Sequence, residues 1–378
     1  MTLLLKLIFA FCLMLNLAKP MEISAQSLEQ NQVFEAEISE VLEQTVEPYD
    51  QQRDIVYQKF SMLGLQGEYK QKRFEAVFNQ IVNPGEQLYK TGDKVVVSLS
   101  IDAQGQEALY VIDYVRRDSL AWLFVIFAGL VVLIGRKHGI ASLVGLASSF
   151  FIMFTFLLPL IQRGYEPIIV ALLSAAAIIF VTFSVSHGLN QKTLIAMIGT
   201  TISLCVTALL ATAFLHLSRL TGFGSEEATF LQYLNDGQLN MTGLLLAGII
   251  IGTLGVLDDI TISQASVVQE LKSLNPKIHP LQLFKRAMNV GHDHIASLVN
   301  TLILVYVGGS LPLLMLFNLD PNRSYGTVIN YSMVAEEVVA TLVGSIGIVI
   351  AVPITTFIAS YYGFKSIKKT NSKTTHSH

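Results

Sequence analysis

Charge is scarce in this chain: Asp, Glu, Lys and Arg together make up 14% of its 378 residues, against about 25% in a soluble domain. That shortage excludes a water-soluble surface over most of the length. The net charge of -3 is small and the basic residues fall mostly in short segments between apolar runs, which excludes a nucleic-acid partner. Cysteine is equally short. Cys12 and Cys205 both lie in apolar stretches, so no disulfide framework can hold an exported domain together. Phe11 ahead of Cys12 is too bulky for a lipoprotein cleavage site. Also missing are an H-E-x-x-H pattern and any nucleophile paired with a base, so nothing points to intramembrane enzyme chemistry, to a metal or to a cofactor.

Long apolar runs are what the sequence has instead. Residues 1–25 read as a signal peptide or N-terminal anchor: Lys6, an apolar run from Leu7 to Leu17 too short for a comfortable span, then Ser24-Ala25 as a cleavage site. Residues 26–118 are polar and carry short β-like runs at Val33–Ile38, Phe74–Phe78, Val95–Leu99 and Ala108–Ile112, separated by turn residues. They predict a small extracytoplasmic β-rich domain, a barrel or sandwich acting as a binding or gating appendage. From Ser119 onward, apolar stretches near the roughly 20 residues needed to cross a bilayer recur at about 119–135, 139–161, 165–186, 191–217, 241–265, 294–317 and 340–361. The expected fold is therefore an α-helical membrane protein with about seven transmembrane helices in a domain spanning 119–362, and a polar, disordered tail at 363–378.

Basic residues orient it. Arg136, Lys137, Lys192, Lys272, Lys277, Lys285, Arg286 and the lysines after Tyr362 fall on one side, and Arg163, Arg219 and Arg323 on the other. The positive-inside rule then puts the β-rich domain outside the inner, or cytoplasmic, membrane and the C-terminus in the cytoplasm. No internal duplication is evident, which argues against an inverted-repeat transporter.

The chemistry concentrates in the fifth apolar stretch. Gly248, Gly252, Gly255, Asp259, Ser263, Ser266 and Glu270 recur at intervals of four and three, so they share one helical face, small above and polar below. Asp258 is turned away by about 100°. One reading makes the acidic pair a marker of the cytoplasmic end of the span. The other makes one of the two a buried carboxylate that exchanges a proton or cation during a conformational cycle, because lipid cannot solvate its charge. In the sixth stretch Asp293, Ser297, Asn300 or Thr301 and Gly308 share a side, and this face is expected to meet the first. His292, Asp293 and His294 fan around a helix axis and cannot converge on one metal ion. Leu281–Met288 reads as an amphipathic connector lying on the membrane surface. Glu336 and Glu337 precede the last run and read as interfacial, or, if buried, as secondary ion-handling candidates. Pro353 is expected to break the final helix.

Gly255-Val256-Leu257-Asp258-Asp259, Gln269-Glu270-Leu271, Met288-Asn289-Val290-Gly291, Val299-Asn300-Thr301-Leu302, Gly344-Ser345-Ile346-Gly347 and Pro353-Ile354-Thr355 together resemble the YibE/F-like family of bacterial membrane proteins. A β-rich segment ahead of membrane helices suits that family, whose members are mostly of unknown function. The order of an acidic pair, an amphipathic connector and a Ser/Thr-bearing helix ending in Gly308-Gly309 is similar to the membrane half of SecD/SecF and the wider RND transporters, where an intramembrane Asp is part of proton coupling. Here the pair sits two helices later than in that pattern. Two function classes follow. In the first, proton- or cation-coupled transport runs through Asp259, helped by Asp258 and facing Ser297, Asn300 and Thr301. In the second, the chain is a non-transporting scaffold or receptor whose outer domain binds an envelope protein or small solute. The bilayer is a partner in both, and either is compatible with an oligomer.

Overall fold

The computed structural model describes residues 33–50, 53–83, 88–101, 107–234, 237–318 and 324–363. The leader at 1–25 and the tail after Gly363 lie outside them. The chain divides into two compact units between Leu130 and Val131.

The first unit is built on five strands: β1 (Val33–Pro48), β2 (Asp54–Gly64), β3 (Arg73–Val82), β4 (Lys94–Ile101) and β5 (Glu107–Tyr114). They close into a barrel in the order β1-β2-β3-β5-β4, with β3 and β5 parallel and the other pairs antiparallel. This is the five-stranded Greek-key arrangement of the OB class. Alternation makes the interior: along β2, Val56, Gln58, Phe60 and Met62 point inward while their neighbours are partly exposed. The other four strands are those expected from the alternation of the sequence; β2 is an addition, because Gln58 and Lys59 interrupt its apolar alternation. Gln58 is fully buried, and it acts as a clamp. Its amide donates to the Tyr89 carbonyl at 3.1 Å and to Gln44 Oε1 at 3.0 Å, and its Oε1 accepts from Tyr89 N at 3.3 Å. Phe34, Tyr69 and Phe74 stack at one part of the core, and Tyr89 packs on Phe60, Phe78 and Tyr114. Arg117 forks onto Glu35 at 2.9 and 3.2 Å. Arg116, hydrogen-bonded to Asp113 at 2.6 Å, holds that carboxyl below the usual carboxylate range.

The helices are α1 (Arg117–Ile152), which runs through a π-helical turn at Met153–Leu157 into α2 (Leu158–Gln162), then α3 (Pro167–His187), α4 (Gln191–Leu217), α5 (Glu226–Leu234), α6 (Met241–Leu274), α7 (Pro280–Gly309), α8 (Leu311–Asn318), α9 (Tyr325–Val328) and α10 (Ser332–Tyr361). Six of these segments are long and apolar enough to cross a membrane: Arg117–Gln162, α3, α4, α6, α7 and α10. The chain is thus a multi-pass membrane protein by the length and composition of its helices.

Six differs from the expected seven because 119–135 and 139–161 fall in one 46-residue run. A straight helix of that size would measure roughly 70 Å, more than twice a bilayer core of about 30 Å. It is not straight. Arg136 leaves helical geometry (φ 49°, ψ -126°), and a Cβ on Gly139 would run into the carbonyl of Val131, which a continuous helix would hold about 12 Å away. The chain therefore turns sharply at Arg136 and brings Gly139 back against Val131.

Three further expectations are corrected. Leu281–Met288 is not a separate connector but the start of α7, with Leu283, Ala287 and Gly291 buried on that helix and the Ala287 carbonyl accepting from Gln264 Nε2 at 3.0 Å. Pro353 lies inside α10 without ending it. Glu336 and Glu337, expected ahead of the last span, belong to the same helix.

Helices α4, α6 and α10 form the tightest part of the bundle through small and hydroxyl-bearing residues. Gly199 lies against Thr355, Gly347 against Thr207 and Gly344 against Thr253. The Thr200 and Thr261 hydroxyls share a 2.7 Å bond, and Gln264 donates to Thr356 at 2.8 Å. Close backbones and interhelical hydrogen bonds are how helices associate where lipid competes for apolar contact. Contacts also fix the two ends of the bundle. Gly222, after α4, meets both Met241 at the start of α6 and Glu336 near the start of α10, whereas the end of α10 at Gly363 meets Ile195 near the start of α4.

Candidate functional site: an acidic cleft between three helices

Asp258 lies in the second half of α6, seventeen residues after Met241, toward the end of the bundle where α3 finishes. It opens onto a cleft of about 270 Å³. Gly255, Asp258, Asp259 and Ile262 form one wall; Thr182, Phe183, Ser186 and His187 of α3 form the second; Ser142, Gly145, Leu146 and Ser149 of α1 form the third. Gly145 of α1 is buried and faces Thr182 and Ser186 of α3.

The surroundings of Asp258 are poor for a charge. Oδ1 is sealed from solvent with no hydrogen-bond partner. Oδ2 has Thr182 Oγ1 at 3.5 Å, and that hydroxyl makes a better bond, 2.8 Å, to the Ile178 carbonyl. Among the described residues, no Lys, Arg or His forms an ion pair with Asp258 or Asp259. A shielded carboxylate without donors or counter-charge is costly unless a proton or a cation neutralises it. Asp259 is exposed at the cleft. His187, the last residue of α3, lines the same cleft.

The other sequence candidates are dispersed. Ser263 is half-buried one turn beyond Asp259 and does not line the cleft; Glu270 is exposed near the end of α6. Asp293, Ser297, Asn300 and Thr301 are exposed on α7, with the Thr301 hydroxyl donating to the Ser297 carbonyl at 2.9 Å. They do share a side of that helix, but the acidic pair looks onto α1 and α3 instead. Glu336 is buried, and its two oxygens accept from Gly222 N at 3.0 Å and Gly224 N at 3.1 Å. It fastens the loop after α4. Glu337 lines a separate cavity with α7 and α8.

Ser142, Ser149, Thr182, Ser186 and His187 line the cleft without having been among the expected site residues. A signal was present: Ser142, Gly145 and Ser149 recur at three and four, as do Thr182 and Ser186 at four, each a small polar stripe on an otherwise apolar helix. Nothing in the spacing says which stripes meet.

Fold and site together define a polytopic helical membrane protein with a carboxylate-bearing cleft inside its helical bundle. The model of the YibE/F-like protein family matches residues 123–365, well over half of the chain, and the chain belongs to that family. No curated protein and no solved structure matches it.

Proposed function

We propose that this protein moves a proton or small cation across the cytoplasmic membrane through the Asp258 cleft, with Asp258 as the exchanging group. The observation that carries this reading is the shielded Oδ1 of Asp258, which has neither donor nor counter-ion. Thr182 and Ser142, Ser149 and Ser186 supply oxygen atoms along the cleft, and Asp259 and His187 add a carboxylate and an imidazole. The arrangement suits stepwise hand-over of a cation between oxygen ligands, or of a proton between side chains and water.

In this reading the bend at Arg136 divides the first run into two crossings, making seven. Arg136 and Lys137 then turn at the cytoplasmic face with Lys192, Lys272 and Lys277, the barrel is extracytoplasmic and the C-terminus is inside. Gly139 packed on Val131 supports the division. A scaffold or receptor role draws its support from the barrel, whose β1–β2 hairpin exposes Leu42, Val46 and Tyr49, a surface suited to an envelope partner or solute.

The assignment of Asp258 is tested with a hydrophobic carbodiimide, which reacts with shielded, protonated carboxyls. Peptide mass spectrometry of protein treated in membranes should find the adduct on Asp258, and the transported cation should protect it. Adducts on Asp259 or Glu270 with Asp258 unmodified would sink the assignment.

A further inference from the structure

Helices α3, α4, α6 and α10 carry buried residues along most of their length, and α7 does not. Its buried residues are Leu283, Ala287 and Gly291, and from His292 to Gly309 none is buried. Within that stretch Ser297, Asn300, Leu304 and Gly308 are exposed, and their spacing of three and four puts them on one side of the helix. Ile303, Tyr306 and Val307 line the cavity beside α10. The side bearing Asn300 is turned from them by about 100°.

Asn300 stands among apolar neighbours, with Leu298 and Val299 before it and Leu302-Ile303-Leu304-Val305 after it. Among the described residues none hydrogen-bonds its carboxamide. Thr301 beside it spends its hydroxyl on the Ser297 carbonyl at 2.9 Å. Lipid tails offer an amide neither donor nor acceptor, so this side must be covered by a surface that carries both. The apolar run Leu120–Gly135 of the same chain has no Ser, Thr, Asn, Gln or charged residue and does not supply them. A second copy does. Two chains inserted with the same orientation are related by a two-fold axis along the membrane normal, so α7 meets its own image in parallel and each seam residue meets its counterpart at the same depth. A carboxamide and a hydroxyl both donate and accept, which makes Asn300 and Ser297 self-complementary. Gly308 has open space where a Cβ would project and lets the two backbones come close. A spacing of three and four is the seam of a left-handed helix pair, in which one polar position fixes the register. Asp293 lies on the same side ahead of the apolar run, where water can solvate it.

We propose that the protein pairs with a second copy of itself through α7, in a two-fold dimer with Ser297, Asn300 and Leu304 along the seam and the two Asn300 carboxamides hydrogen-bonded across the axis. The interface does not depend on Asp258.

The test uses the full chain in membranes. In a Cys12→Ser, Cys205→Ser background, Leu304→Cys and Val305→Cys are compared under mild oxidation. Both positions are exposed, at 60% and 65%, but Val305 is turned off the seam by about 100°. Leu304→Cys should give disulfide-linked dimers and Val305→Cys few. Single-molecule photobleaching of the fluorescently tagged chain, diluted in large liposomes, should show two steps for the wild type. Asn300→Leu should weaken association about three- to thirtyfold, and Asn300→Gln, which keeps the carboxamide, by less. Asp258→Asn should associate as the wild type does, which separates this result from the fate of the transport reading. If Asn300→Leu does not fold, the contrast between Leu304→Cys and Val305→Cys decides. One-step bleaching at every density, equal cross-linking at the two positions, or unchanged association in Asn300→Leu would each overturn the proposal, and the first would leave this side of α7 to a different hydrogen-bonding partner.

Discussion

Glu336 and Asp258 are both acids inside apolar helices, and hydrogen-bond geometry separates them. Glu336 accepts two backbone N–H groups at 3.0 and 3.1 Å, while Asp258 keeps one oxygen unpartnered. Glu336→Gln replaces one acceptor with a donor facing an amide N–H. It should therefore lower stability by about 1.5–3 kcal/mol, in the range for hydrogen bonds to charged groups, visible as an earlier thermal transition in detergent. Ion movement per folded molecule should persist, and its loss would make Glu336 part of the pathway. Both acids were legible in the sequence as polar residues in apolar surroundings. Their roles were not, because a role depends on whether a backbone amide from a distant loop reaches the carboxylate. Gly222 and Gly224 are more than a hundred positions away from Glu336 in the chain.

Helix pairing is set by small residues, and here the structure sorts glycines that look alike in sequence. Gly199 and Gly347 are pressed against Thr355 and Thr207, whereas Gly248 and Gly255 have open space where a side chain would project. Gly199→Ala should cost about 1–3 kcal/mol through overpacking. Gly248→Ala should be neutral or stabilising by up to about 1 kcal/mol through helix propensity. Thermal unfolding of the two variants in the same detergent checks the contrast, and equal effects would contradict the packing described. The stripe of Gly248, Gly252, Gly255 and Asp259 was legible from its spacing of four and three. Its partners were not: periodicity gives a helix its faces but does not say which neighbour each one meets, and Gly255 and Asp259 open onto the cleft with α1 and α3 while Gly252 looks toward Tyr306 of α7. The strands of the barrel were mostly legible for the opposite reason. Alternation with period two ties burial to position directly, and only β2, with Gln58 turned inward, hid its pattern.

At the scale of the whole chain, the membrane class and the family were readable from composition and from motifs such as Gly255–Asp259, because long apolar runs leave few alternatives to crossing a bilayer. The number of crossings was harder, since the two apolar runs are separated only by the short break at Arg136. The central claim is that the helical bundle carries an ion through the Asp258 cleft, and the most direct measurement is flux. Wild type, Asp258→Asn and Gly248→Ala would be reconstituted in liposomes holding a pH-sensitive dye, and a pH or sodium gradient imposed. Wild type and Gly248→Ala should dissipate a gradient while Asp258→Asn behaves like empty liposomes. Dissipation by Asp258→Asn at the wild-type rate, or none by the wild type under either gradient, would contradict it.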